Sequence, residues 1–84
     1  MLLSIVVPVY NEIKTLPEIL RAVQRVDLGE IRRELILVDD FSSDGSRDLV
    51  ASLEGQTSLD EKAKPFDQPI RVFLHPRNQG KGAA

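Results

Sequence analysis

A parallel α/β sheet of the doubly wound kind is the architecture this sequence predicts. Apolar runs of strand length recur at residues 3–9, 35–38 and 70–74. Segments of helical period separate them, at residues 15–26 and from Asp44 or Ser46 to about Leu53. The runs are nearly continuous rather than alternating, as in strands covered on both faces. Strands alternating with helices, joined by right-handed crossovers, give a Rossmann-like parallel sheet with helices on both faces. The chain reads as the first half of such a domain.

The first run, Leu3-Ser4-Ile5-Val6-Val7-Pro8-Val9, is rich in β-branched residues. Pro8 has no N–H and is expected to stop pairing near the end of that strand. Thr15-Leu16-Pro17-Glu18 has the form of a capping box, with proline in the first helical turn. Leu16, Ile19, Leu20, Val23 and Val26 follow at helical spacing, which puts Arg21, Gln24 and Arg25 on the polar side. Asp39 and Asp40 close the second strand, and residues 41–45 carry turn chemistry. Asp44 or Ser46 is expected to cap the second helix, whose apolar side is Leu49, Val50 and Leu53. Residues 55–69 hold two prolines and three acidic residues. They read as a mobile loop, longer than most in compact domains. After the third strand, Gly82-Ala83-Ala84 resembles the opening of a third helix, so the chain reads as the N-terminal part of a longer polypeptide.

Composition narrows the function classes. The chain has 84 residues, a formal charge of −2 and no cysteine. A chain this short buries about 60% of its unfolded surface, and neither disulfides nor thiolate metal sites assist it. Mixed charge without a basic face argues against nucleic acid as a partner. Residues 1–10 are apolar but lack a basic leader and a cleavage site. They also fall far short of the ~20 apolar residues a membrane span needs. The segment is expected to be cytoplasmic, and any membrane association would come through downstream segments.

In open parallel sheets the ligand crevice lies beyond the carboxyl ends of the strands. Tyr10, Asn11 and Glu12 follow the first strand there, and Val38, Asp39 and Asp40 end the second. Neighbouring strands lie about 4.8 Å apart, so Glu12 and Asp40 can reach one ligand. The plain alternative is that one aspartate only caps the following turn. The loop after the first strand has no glycine and carries Glu12, so a diphosphate would be repelled there. Base and ribose therefore suit this end of the site. A carboxylate only accepts hydrogen bonds, which matches the ring N–H of uracil or guanine better than the ring acceptor of adenine. Tyr10 either stacks on the base or fills the core.

Other patterns carry less. Asp40-x-Ser42-x-Asp44-Gly45 imitates the start of a calcium loop, but the twelfth position is Ala51 and a strand precedes it. Gly80-Lys81-Gly82 lacks the serine or threonine of a phosphate loop; Lys81 is a candidate phosphate contact against the plainer reading of a flexible helix start. His75 is the only histidine, with no second ligand nearby to make a metal site.

Three spaced motifs together resemble the N-terminal half of the family 2 inverting glycosyltransferases. They are Pro8-Val9-Tyr10-Asn11-Glu12, the stretch from Val38 to Ser46, and the stretch from Arg77 to Ala84. The branch most resembled is the dolichol-phosphate mannose synthase-like one, which glycosylates polyprenyl phosphates. The resemblance implies a GT-A type nucleotide-sugar-binding fold, with Pro8, Tyr10, Glu12, Val38 and Asp40 lining the nucleotide pocket and Asp39 more structural. It implies a UDP- or GDP-sugar donor, a lipid-phosphate or glycan acceptor, and a divalent cation, Mg²⁺ or Mn²⁺, in the full-length enzyme. Phe41 stands where glycine is commonest in that motif. The family's Asp-x-Asp metal motif and catalytic base lie further on, so no catalytic or metal residue is expected in this segment, and alone it is expected to be inactive. A receiver-like signalling domain would need an acceptor aspartate at a later strand end, where this chain has His75-Pro76. A transferase that makes activated sugars would need a glycine-rich basic loop after the first strand. A non-catalytic nucleotide-binding fragment is the remaining alternative.

Overall fold

The computed structural model describes residues 2–75. The expectations for Lys81 and for a helix opening at Gly82 lie outside those residues. The elements run β1 (Leu2–Val9), α1 (Leu16–Arg25), β2 (Arg32–Asp39), α2 (Ser46–Ser52) and β3 (Arg71–Leu74). They form one three-stranded sheet in the order β1-β2-β3. Both pairings are parallel, with Leu2 opposite Arg32, Val9 opposite Asp39, and Asp39 in turn opposite Leu74. The predicted parallel α/β architecture is therefore the one the chain adopts.

Because the strand order steps steadily in one direction, right-handed crossovers put both helices on the same face. That face holds the core: Leu16 and Leu20 of α1, Val50 of α2, and Val9, Leu35 and Leu37 from the sheet. Cover on both faces was expected; among the described residues only this face has helices over it. Val6 on the other face is 58% exposed, and Phe73 on the same face is 46% exposed. Pairing also runs past Pro8, which sits opposite Val38, contrary to the expectation that it would stop there. The Val9 carbonyl accepts from the Asp40 N–H at 2.9 Å. Alternate residues of a parallel strand face the partner, so the ring nitrogen of Pro8 faces the free edge and costs no ladder bond.

Helix α1 departs from its pattern in two ways. Thr15 is the N-cap but its side chain makes no capping bond, so the capping box does not form. The Glu12 carbonyl starts the helix instead, accepting from the N–H groups of Thr15 at 3.1 Å and Leu16 at 2.8 Å. The second departure is the buried stripe, which is Leu16, Leu20 and Gln24, while Ile19 and Val26 are exposed. Gln24 was placed on the polar side. It is buried because its amide is a bracket for the long loop. Its Oε1 accepts from the N–H groups of Leu59 and Asp60, and its Nε2 donates to the Ser58 hydroxyl and to loop carbonyls.

Arg33 makes the same loop fast from β2. It is fully buried, and its guanidinium donates to the carbonyls of Gln24, Val26, Lys64 and Pro65 while lying over the Phe66 ring. The Gln24 and Val26 carbonyls are free acceptors at the C-terminal end of α1, where a cation is favoured. The loop at residues 55–69, expected to be mobile, is thus fastened to both α1 and β2. Gln24→Leu leaves the Leu59 and Asp60 N–H groups without their acceptor. In the full-length protein, trypsin is expected to cut after Lys62 at least about tenfold faster in this variant than in wild type. Unchanged cleavage would show that Gln24 does not hold the loop.

Candidate functional site

The strand pleat decides what each aspartate does. Successive side chains of a strand point to opposite faces, so Asp39 and Asp40 diverge. Asp39 turns to the helix side and is fully buried. Its Oδ2 accepts from the Ser42 N–H at 2.9 Å and from Arg47 at 3.0 Å. Asp40 turns to the open side, 43% exposed, and its carboxylate accepts no hydrogen bond among the described residues. Asp39 thus organises the turn, as the plain alternative has it for one aspartate, while Asp40 faces outward.

Pro8, Val9, Tyr10, Glu12, Val38 and Asp40 line a pocket of about 270 Å³ at the carboxyl ends of β1 and β2. All five residues expected at a nucleotide site are in this set. The pocket is open and just below the usual range of about 300–1,000 Å³ for ligand sites. Pro8 and Val38 are register partners and form its apolar floor. Tyr10 is 50% exposed, which removes the core-filling alternative for that ring. Glu12 stands at the rim, its Oε1 3.4 Å from the Tyr10 N–H.

A latch between two loops holds this rim. The N–H groups of Asn11, Glu12 and Ile13 donate in turn to the Ser42 hydroxyl, the Ser46 hydroxyl and the Asp44 carboxylate, at 2.9, 2.9 and 3.0 Å. The Asn11 carboxamide oxygen accepts from the Ser43 N–H at 2.7 Å in return. Two of the residues that imitate a calcium loop, Ser42 and Asp44, therefore accept backbone N–H groups instead. Three consecutive N–H groups in the loop ahead of α1 thus find side-chain acceptors. Asp44 also accepts from the N–H and hydroxyl of Ser46. The expected cap of α2 is thus present one residue early, because the N-cap position itself is Gly45, with φ of 101°.

Two side-chain-bearing residues adopt left-handed backbone at this site, Asn11 with φ of 49° and Phe41 with φ of 58°. Asparagine tolerates that region and phenylalanine pays for it. The strain at Phe41 accounts physically for glycine being common at its position in the resembling motif. Here the Arg47 guanidinium lies 5.6 Å from the ring centroid of Phe41 and holds it. Arg47 also donates to the His75 carbonyl at 2.7 Å, and His75 donates its N–H to the Asp39 carbonyl at 2.9 Å. These contacts bring the exit of β3 beside Asp40 at the pocket's edge. The His75 Nδ1 lies 3.7 Å from the Asp40 Oδ1. Neither Arg47 nor His75 was singled out for this site from sequence; an arginine one turn after an acidic strand end was the available signal.

Among the described residues no group of three or more histidine, cysteine, aspartate or glutamate side chains is placed to hold a metal ion. Glu12 and Asp40 alone do not make a cage for Mg²⁺ or Mn²⁺.

Comparison with known proteins identifies the lineage. The chain belongs to the family described as glycosyl transferase family 2, whose pattern matches residues 4–84. It is similar to proteins named undecaprenyl-phosphate 4-deoxy-4-formamido-L-arabinose transferase. The one from Pseudomonas fluorescens (strain Pf0-1) is 42% identical over 83 residues, and the one from Pseudomonas syringae pv. syringae (strain B728a) is 39% identical over 82. The one from Proteus mirabilis (strain HI4320) is 38% identical over 82 residues. In each case the match covers 96% of this chain and 22% of the relative. The chain therefore spans about a fifth of the length of these relatives. No solved structure gives a significant match.

Two outcomes test the latch. Hydrogen bonding, first from the Ser46 hydroxyl, lowers the Asp44 carboxyl below the ordinary aspartate value. A depressed carboxyl stabilises the fold above its unfolded value and loses that contribution as pH falls through the folded one. The amide resonances of Ile13 and Ser46 are expected to titrate together in acid, with a midpoint below that of a free aspartate, and Asp44→Asn is expected to abolish the titration. At Phe41, valine is expected to cost about 1–2 kcal/mol because a β-branched side chain is strained at positive φ. Glycine there is expected to cost less than valine. Thermal unfolding of the two variants checks the order.

Proposed function

We propose that this chain is the N-terminal nucleotide-binding part of a single, longer glycosyltransferase domain. In this reading the protein transfers a sugar from a UDP- or GDP-linked donor to a polyprenyl phosphate. The observation that carries it is the shared pocket of Glu12 and Asp40 over an apolar floor of Pro8 and Val38. An exposed carboxylate lining that pocket suits the ring N–H of uracil or guanine. Glu12 suits a ribose hydroxyl, and Tyr10 gives an exposed ring for stacking on the base. Membership of the glycosyltransferase family and the relatives named for transfer to undecaprenyl phosphate support the reaction class.

The chemistry follows from the acceptor. A phosphate oxygen of the lipid attacks the anomeric carbon from the side opposite the nucleotide. The new bond is anomeric carbon to lipid-phosphate oxygen, and the bond that breaks is anomeric carbon to the donor's diphosphate oxygen. Attack opposite the leaving group inverts the anomeric centre. An acceptor that is already an anion needs no proton removed. The residues described here bind and orient the nucleoside. A divalent cation, held by residues elsewhere in the enzyme, would supply charge for the leaving diphosphate. A lipid acceptor places the work at a membrane surface, which we take to be the cytoplasmic one. Among the described residues no helix is long and apolar enough to cross a membrane.

Calorimetric titration of the full-length protein with UDP and with GDP tests this reading. One of the two is expected to bind, and Asp40→Ala is expected to weaken it by about 10- to 100-fold, the worth of a hydrogen bond to a charged group. Equal affinity in the variant would refute the assignment of Asp40.

A further inference from the structure

We propose that His75 is a second base-reading residue of this pocket. Its Nδ1–H would donate to the nucleobase carbonyl that flanks the ring N–H accepted by Asp40. The inference rests on the nucleoside reading above and adds to it a donor from the third strand.

Four observations carry it. First, His75 is placed by its backbone. Its N–H donates to the Asp39 carbonyl at 2.9 Å, and its carbonyl accepts from Arg47 at 2.7 Å. Arg47 is itself anchored on the buried Asp39 carboxylate. Second, the imidazole is half exposed beside an exposed carboxylate, so both are within reach of a ligand. Third, their separation of 3.7 Å is too long for a hydrogen bond. Neither group consumes the other, and Asp40 has no other hydrogen-bond donor among the described residues. Fourth, the topology sets a row. The exits of β1, β2 and β3 carry Glu12, Asp40 and His75 in that order, since β2 lies between the other two strands. A nucleoside with its ribose toward Glu12 presents its base edge to Asp40 and His75.

The chemistry of that edge fits an acceptor beside a donor. Uracil and guanine each carry a ring N–H next to a carbonyl oxygen. The carboxylate of Asp40 takes the first, and imidazole with hydrogen on Nδ1 serves the second. The neighbouring carboxylate favours the tautomer with that hydrogen. Adenine and cytosine present the reverse pattern, a ring acceptor next to an amino group. Each would face the carboxylate with a lone pair and His75 with a donor. Asp40 alone selects a ring N–H; with His75 the site reads two adjacent atoms, and the mismatch is felt twice.

The test uses the full-length protein and calorimetric titration with whichever of UDP and GDP binds. The probe beside it is the matching 4-thio-UDP or 6-thio-GDP, in which sulfur, a weak acceptor, replaces the carbonyl oxygen. In wild type the thio analogue is expected to bind about fivefold more weakly than its parent. His75→Ala is expected to lose a similar factor for the parent and to bind parent and analogue alike. His75→Asn, whose amide nitrogen stands near the position of Nδ1, is expected to recover parent binding to within about twofold. A thio penalty that persists undiminished in His75→Ala would overturn the assignment. So would wild-type protein that does not distinguish the analogue, a result that needs no variant to fold. If Asp40→Ala weakens binding while His75→Ala does not, His75 falls and the nucleoside reading stands. If neither nucleotide binds wild type, both fall.

Discussion

The buried ion pair between Asp39 and Arg47 is the constraint on which the site depends. Asp39 ends the central strand with no exposed surface, and an unpaired carboxylate there would be costly. Arg47, from the first turn of α2, meets it at 3.0 Å and reaches on to the carbonyl of His75. The Ser42 N–H closes on the same Asp39 oxygen. A single carboxylate thereby fixes the turn after β2, the start of α2 and the exit of β3. Asp39 Oδ1 is left without a partner among the described residues, so Arg47 carries much of the compensation. Removing the arginine would leave the charge buried and also free the β3 exit, so packing and pocket geometry are lost together.

The outward-facing groups inherit their positions from that arrangement. Asp40 points to the open side because Asp39 points in; the strand period allows no other outcome. A one-residue slip of β2 would bury Asp40 and expose Asp39. The paired register, from Leu2 with Arg32 to Val9 with Asp39, guards against such a slip. Arg33 is the second guard. Its guanidinium binds four carbonyls within the helix-side layer, and on the other face it would lose all four.

Much of this was legible in the sequence. Strand count, the adjacency of the first two strands and the parallel class followed from the spacing of apolar runs, and the five pocket residues came from motifs at two strand ends. What was not legible has a common physical cause. Gln24 and Arg33 look like surface residues because their side chains are polar, yet each is buried among backbone carbonyls and N–H groups that no periodicity reveals. Thr15 and Glu18 had the form of a capping box, but α1 opens on the Glu12 carbonyl, and the loop that carries it is held by Ser42, Asp44 and Ser46, some thirty residues away. Pro8 looked like a terminator because its direction depends on which edge of β1 is free. In each case a long-range hydrogen bond or a strand's place in the sheet overrode a local rule.

Charge distribution then orders the ligand along the site. The β1–α1 loop brings Glu12 where a phosphate-binding fold would bring glycines, and its backbone N–H groups at Asn11, Glu12 and Ile13 are already committed to the latch. An anion at this loop would meet a carboxylate and no free backbone donor from these three residues. The end of the site described here therefore favours the uncharged part of a nucleotide, and the acidic rim directs the diphosphate away from the β1–α1 loop. In the proposed function the glycosyl carbon would travel with the diphosphate, so recognition and bond exchange would be separated in space. Asp40 and its neighbours would set which nucleotide enters, while the charge of the leaving group would be met beyond this loop.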